Sequence, residues 1–259
     1  FTKKNTLKHK RHLKFMVQIK QAMILAAGKG TRLGHLTQST PKPLIEVCGT
    51  PVLIHLLNHL KSYGVEKIAI NTHYLAAQVE QAVKVWSKDA GIDVRIYHEE
   101  ELLNTGGGIC QAIPFFEGKP FFLVNGDAVW TGGTELFKEL ENTFRREHME
   151  ALLGFIDLDK TSAFRAPKAD YEMDAAGQIL GRGTQGASWV YMCAAILTPE
   201  LFAGRDVKPF SLIELYDKAM HKGELYGMSF SGLWADMGTP EGLAFAENLL
   251  SLPQHKQTA

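Results

Sequence analysis

The sequence predicts an α/β fold with a mixed, mostly parallel central sheet flanked by helices. Three observations predict it. Short apolar runs alternate with stretches whose apolar residues recur every three or four positions; a glycine-rich turn follows the first run; and beyond residue 130 a hairpin and return strands replace the alternation.

The runs AMILAA (22–27), KIAI (67–70), DVRIY (93–97) and PFFLVN (120–125) are short, apolar and closed by turn or polar residues, as buried strands are. Between them, VLIHLLNHLKSYG (52–64) and LAAQVEQAVKVW (75–86) carry helical spacing. The order βαβαβ demands right-handed crossovers and hence parallel pairing. Further on, the pattern predicts a helix over 134–147, a strand at 151–158 and a hairpin over 171–182 turned at Asp174 and Gly177. A strand at 187–197, a helix at 211–222, a strand at 225–230 and a closing helix at 239–250 complete the chain.

The 259 residues are 45% hydrophobic and 22% charged, enough to bury a substantial core. Twenty-eight basic residues balance 28 acidic ones, so no overall field recruits nucleic acid or an anionic membrane. No stretch reaches the roughly 18 apolar residues of a membrane span. Three cysteines, at 48, 110 and 193, lack metal or disulfide spacing and read as reduced, cytosolic thiols. The first fifteen residues are rich in Lys, Arg and His without a carboxylate, which reads as an extension ahead of the core.

Gly28, Gly30 and Gly34 follow the first strand at the sheet edge where open α/β folds bind ligands. Glycine lets backbone N–H groups approach phosphate oxygens, although a tight turn alone also asks for glycine. No GxxxxGK[ST] is present. A dinucleotide fingerprint needs a helix starting at the glycines, yet Pro41 and Pro43 delay the helix to about Pro51, so the glycine loop is expected to be long and non-helical. Lys29, Arg32 and Lys42 lie beside this turn. Each alone reads as a solvated charge; together they point to an anion, with Arg32 offering a planar fork and Lys42 held between prolines.

A second glycine run, Thr105 with Gly106, Gly107 and Gly108, precedes ICQAI. It reads either as a flexible turn or as a helix start offering amides to an anion or a base edge. Asp127 closes an almost wholly apolar strand, and Asp236 sits ahead of a Gly-Thr-Pro turn. Each is a candidate cap, and Asp127, at the carboxyl end of its strand, also faces the expected ligand edge. Two carboxylates with substrate phosphates are what Mg²⁺ ordinarily takes. His55 and His59, four apart, lack the acid of a zinc motif and read as one helix face. Asn71, His73 and Tyr74 end the second strand and border the same edge. Trp189 and Tyr191 share a strand face, where core packing is the ordinary role of aromatics.

LAAGKGTRL (25–33), TPKPL (40–44), NTGGGI (104–109), VNGD (124–127) and WADMGTPEGL (234–243), in that order, resemble the sugar-1-phosphate nucleotidylyltransferases over about residues 21–250. Within them the chain is most similar to the N-acetylmuramate-1-phosphate uridylyltransferases and to relatives called mannose-1-phosphate guanylyltransferases. Asn104 stands where Glu often precedes TGGG, and SWVYMC (188–193) where an SGI-like segment is familiar. The resemblance implies a Rossmann-like, GT-A-like fold in one domain over 21–250, with a nucleotide half to about 130 and a sugar-phosphate half beyond, a basic extension at 1–20 and a tail at 251–259. It implies nucleotide contacts from Ala26, Ala27, Gly28, Gly30, Thr31, Asn71, Thr105, Gly106 and Gly107. Asn125, Gly126, Trp189 and Tyr191 are expected at the sugar phosphate, Arg32, Lys42 and Asp127 in catalysis, and Mg²⁺ on Asp127 and Asp236. The partners are then two small molecules, a nucleoside triphosphate and a sugar-1-phosphate, and the compartment the cytoplasm. Monomer and homo-oligomer stay undecided.

Two rival readings are weighed on residues. A nucleotide-binding regulator without turnover would tolerate loss of the basic or acidic residues, which are intact. An oxidoreductase would need a helix directly after Gly34.

Overall fold

The computed structural model describes residues 18–157, 170–183 and 189–251. The expected basic extension up to residue 17 and the tail from 252 lie outside the described residues.

The first strand, β1 (Gln21–Leu25), runs into the glycine turn, and a small ribbon of β2 (Glu46–Val47) and β3 (Thr50–Pro51) precedes α1 (Val52–Tyr63). There follow β4 (Lys67–Thr72), α2 (Ala76–Ser87), β5 (Asp93–His98), α3 (Asn104–Ala112), β6 (Phe121–Asn125), β7 (Ala128–Trp130) and α4 (Glu135–Thr143). The remainder comprises β8 (Ala151–Asp157), β9 (Tyr171–Met173), β10 (Ile179–Arg182), β11 (Trp189–Leu197), α5 (Ile213–Lys222), β12 (Leu225–Ser229), β13 (Trp234–Asp236) and α6 (Pro240–Ser251).

Strands β5, β4, β1 and β6 lie side by side in that order and all parallel. Then β11 joins antiparallel to β6, β8 antiparallel to β11, and β12 parallel to β8. The sheet is therefore mixed and mostly parallel, as the alternation predicts. Because the chain steps outward from β1 to β4 and β5 and then returns to β6 on the other side, the order reverses between β1 and β6. That reversal opens a crevice at the carboxyl ends of these two strands, where α/β folds take ligands.

Both sheet faces are covered, so alternate side chains of one strand enter different cores. Ala22 and Ile24 of β1, Ile68 and Ile70 of β4, and Phe122 and Val124 of β6 pack with α1, α2, α4 and α6. Met23, Ala69, Phe121 and Leu123 face the layer of α3 and α5. The hairpin forms as expected: Asp174 Oδ1 accepts from Ala176 N and Gln178 N, and Gly177 takes φ +86°.

Three expectations are corrected. The fourth helix ends at Thr143, not 147, because Phe144 is extended and Arg145 Nη1 donates to the carbonyls of Asn142 and Phe144. The long glycine loop is not wholly irregular: Thr31–Thr37 and Lys42–Leu44 coil into 3₁₀ turns, the first kinked at Gly34. The glycines of the second run are no flexible turn, since Gly106, Gly107 and Gly108 lie buried inside α3. All three cysteines are free thiols, with Cys48 exposed and Cys110 buried.

Candidate active site

The crevice between the ends of β1 and β6 is a cleft of about 540 Å³. One wall is the glycine turn. Gly28 is exposed with open space where a side chain would stand, so a ligand can approach its backbone. Gly30 is required twice over: its φ is +67°, and a Cβ there would lie 2.9 Å from Lys42 Cβ and 2.9 Å from Thr37 Cγ2. The turn is tied back by Leu33 N and Thr37 Oγ1, both donating to Gly30 O at 3.0 Å. Tyr74 Oη in turn donates to Thr37 O at 3.0 Å.

Lys42 opens the second 3₁₀ turn, between Pro41 and Pro43, and is buried along its stem. Its ammonium pairs with Asp127 Oδ2. A buried lysine stem ending at a half-open carboxylate aims one positive charge at a fixed place beside the cleft. Asp127 follows β6 through Asn125 and Gly126. Gly126 N donates to Leu25 O at 2.8 Å, which locks the ends of β6 and β1 together.

Asp236 arrives from 109 positions away through the β7–β13 ribbon, whose register sets Asp236 opposite Ala128, the residue after Asp127. Met237 N also donates to Asp127 O at 3.3 Å. The two aspartates are thus neighbours across a ladder. Asp236 Oδ1 accepts from Gly238 N at 2.8 Å. A Cβ on Gly238 would lie 2.7 Å from Arg32 Nη2 and 2.9 Å from Asp236 Oδ1, so guanidinium and carboxylate flank one point. Arg32 itself is exposed toward the cleft that it lines.

The opposite wall begins at α3. Asn104 (φ +60°) and Thr105 line the cleft, with Thr105 Oγ1 accepting from Leu212 N at 2.9 Å. Gly106 and Gly107 lie behind this wall. Gly106 N is taken by Phe210 O at 3.0 Å, and Cβ atoms on Gly106 and Gly107 would fall 2.2 Å from the Phe210 ring and 2.3 Å from Lys208 O. These glycines let the 208–212 segment close onto α3 and do not face the cleft.

Of the residues singled out in the sequence, Ala26, Ala27, Gly28, Gly30, Thr31, Arg32, Lys42, Asn71, Thr105, Asn125, Gly126 and Asp127 line the one cleft, with Asp236 beside it. Trp189 and Tyr191 stand outside its lining. Tyr191 meets Tyr216 hydroxyl to hydroxyl at 3.3 Å, and burial pushes both phenols well above their usual range. His55 and His59 do not form a pair site: His55 Nε2 meets Val47 O at 3.0 Å, while His59 packs on Trp130. Leu102, Pro209 and Glu99 also line the cleft and were not singled out. Glu99 sits in a run of three glutamates with no pattern to mark it as buried; Leu102 and Pro209 add apolar surface suited to a flat base.

This cleft sets a cationic side (Arg32, Lys42) and open backbone amides against Asp127, with Asp236 next to it across the ladder, a provision for phosphates in transit. The family described as Nucleotidyl transferase matches residues 21–166. The N-acetylmuramate alpha-1-phosphate uridylyltransferase of Caulobacter vibrioides is 31% identical over 237 residues, covering 90% of this chain and 97% of that one. The mannose-1-phosphate guanylyltransferase catalytic subunit beta of Drosophila pseudoobscura pseudoobscura is 30% identical over 224 residues, 85% of this chain and 60% of that one. Among solved structures, the inositol-1-phosphate CTP transferase from T. maritima superposes with a TM-score of 0.73 at 19% identity, covering 88% and 93% of the two chains, a likeness of fold. The chain belongs to the nucleotidyl transferase family, within its sugar-1-phosphate enzymes.

Proposed function

We propose that this enzyme transfers the uridylyl group of UTP to N-acetylmuramate-1-phosphate, releasing pyrophosphate. The observation that carries nucleotidyl transfer is the convergence of Lys42, Arg32 and the Gly28 turn on the β1–β6 crevice beside Asp127 and Asp236. The choice of UTP and of the amino sugar rests on the relative of similar length; a guanylyltransferase acting on mannose-1-phosphate is the second reading, supported by the relatives of that name.

In the proposed reaction an oxygen of the sugar phosphate attacks the α-phosphorus. The bond from that phosphorus to the oxygen bridging the β-phosphorus breaks, and the electron pair leaves with pyrophosphate. No protein nucleophile is needed, so rate comes from alignment and from charge placed in advance. The Gly28–Gly30 amides hold the triphosphate, Arg32 faces the departing pyrophosphate, and Lys42 neutralises charge where the two phosphates meet. Thr105, Asn104 and Leu102 flank the base, and Asn125 and Gly126 the sugar phosphate. Asp127 and Asp236 fit Mg²⁺ as its protein ligands: two residues that neighbour each other across the β7–β13 ladder supply hard carboxylate oxygens, and among the described residues no cluster of three or more His, Cys, Asp or Glu competes. Bound there, the ion would supply Lewis-acid polarisation of phosphate oxygens. Three free thiols fit a reducing cytoplasm, and among the described residues no helix is long and apolar enough to cross a membrane.

The test is pyrophosphate release from UTP or GTP with N-acetylmuramate-1-phosphate or mannose-1-phosphate, with and without Mg²⁺. The first pair alone should turn over, and only with the ion; selective use of GTP with mannose-1-phosphate overturns the substrate choice.

A further inference from the structure

The walls of the cleft are joined along its floor by a chain of three hydrogen bonds. Ala26 N donates to Asn71 Oδ1 at 2.8 Å, Asn71 Nδ2 donates to Glu99 Oε1 at 2.7 Å, and Leu103 N donates to Glu99 Oε2 at 2.8 Å. Ala26 begins the glycine turn, and Leu103 precedes Asn104 and Thr105 of the opposite wall. Both bridging side chains are buried, Asn71 to 3% and Glu99 to 2% exposure. We propose that Asn71 and Glu99 form a positioning bracket that fixes the separation of the two walls and thereby the affinity for the nucleoside triphosphate. This inference rests on the nucleotidyl-transfer reading of the cleft.

The polarity of the chain leaves no freedom. The backbone N–H of Ala26 can only donate, so the Asn71 oxygen must face it and the Asn71 amide nitrogen must face Glu99. The N–H of Leu103 also donates, so Glu99 must accept on both sides. A carboxylate does this, whereas an amide has one accepting oxygen and one donating nitrogen. The backbone around the bracket is pinned as well: Glu99 N donates to Thr72 O at 2.8 Å, and His73 Nδ1 lies 2.8 Å from Glu99 O. Gly108 is explained by the same group. A Cβ there would lie 2.5 Å from Glu99 Oε1 and 2.7 Å from Asn71 Nδ2, so the third glycine of α3 leaves room for the bracket. Asn71 therefore serves the nucleotide through Ala26, its amide oxygen and nitrogen each engaged within the protein.

The same logic supplies a rescue. E99Q sets a donor against a donor at either Asn71 or Leu103, and N71D sets a carboxylate against a carboxylate. In N71D/E99Q the new carboxylate accepts from Ala26 N–H and from the new amide, whose oxygen accepts from Leu103 N–H. All three bonds return with the middle one reversed, at unchanged net charge.

The experiment measures UTP affinity by calorimetry, KM and kcat by pyrophosphate release, and melting temperature, for wild type, both single variants and the double variant. Each single variant should raise the dissociation constant and KM for UTP by about tenfold, the cost of leaving one buried donor or acceptor unmatched. The double variant should return both to within about threefold of wild type. Single variants that melt earlier but bind UTP as wild type does overturn the proposal, leaving a purely structural pair. If the single variants do not fold, the double variant still decides: it must fold and bind as wild type, and additive or worse damage overturns the bracket. Wild-type protein that binds UTP without turnover refutes the reaction but not the bracket; wild type that binds no nucleoside triphosphate refutes both.

Discussion

His59 turns a sequence ambiguity into a measurable pH dependence. It lies on α1 against Trp130, with ring centroids 5.4 Å apart, and its Nδ1 is buried without a hydrogen-bond partner. Burial, and secondarily the neighbouring charge of His55, lowers its pKa from 6.5 to about 4. Above pH 6.5 the imidazole is neutral whether the chain is folded or not, and stability is unaffected. As pH falls below 6.5 the unfolded chain takes up a proton that the folded one refuses until about pH 4, so stability is lost across that window. The gap corresponds to about 3 kcal/mol at 1.36 kcal/mol per unit. His59→Leu removes both the titration and the orphaned nitrogen, and should be at least as stable as wild type near neutral pH. Urea unfolding of both proteins from about pH 7 to about pH 4.5 isolates the effect, because every other titrating group is common to them. The wild type should lose about 2 kcal/mol or more relative to the variant over this range. Parallel stability profiles would refute the burial argument.

Three further outcomes follow from the site and its packing. Arg32→Ala and Lys42→Ala should each lower kcat by about a hundredfold or more in steady-state assays, the loss expected of one aimed charge; a change confined to KM would mean ground-state binding instead. Asp127→Asn and Asp236→Asn should each abolish most turnover with the fold retained by circular dichroism, and the double variant should be little worse than either, since ligands of one ion fail together. Gly106→Ala gains about 1 kcal/mol of helix propensity but drives a methyl into the Phe210 ring, at a cost of about 1–3 kcal/mol. Overpacking wins, and thermal melts should show net destabilisation.

Strands β1, β4 and β6 were legible because they are buried on both faces and read as apolar runs, whereas β5, taken for a buried strand, is a half-exposed edge strand with Asp93, Arg95 and His98 in solvent. The first wall of the site was legible too, since glycine, proline and basic residues stand together within twenty positions there. What sequence concealed depends on contacts between distant segments. A helix containing Gly106, Gly107 and Gly108 defies propensity, and it exists because the 208–212 segment, Glu99 and Asn71 press against those three Cα atoms. Glu99 is indistinguishable from Glu100 and Glu101 until Asn71 and Leu103 are seen to meet it. The adjacency of Asp127 and Asp236 rests on strands of three residues each, too short for any periodic signal. Trp189 and Tyr191 show the converse: a strand face was legible, but not that Tyr191 would turn to Tyr216 and Phe155.

The most direct test of the central claim follows the α-phosphate. UTP labelled in that phosphate is incubated with purified enzyme, Mg²⁺ and N-acetylmuramate-1-phosphate, and the products are separated. The account predicts that the label appears in a nucleotide-sugar in amounts equal to the pyrophosphate released, and that label placed instead in the γ-phosphate leaves wholly as pyrophosphate. Label recovered as free UMP, or γ-label found on the sugar, would contradict nucleotidyl transfer at this cleft.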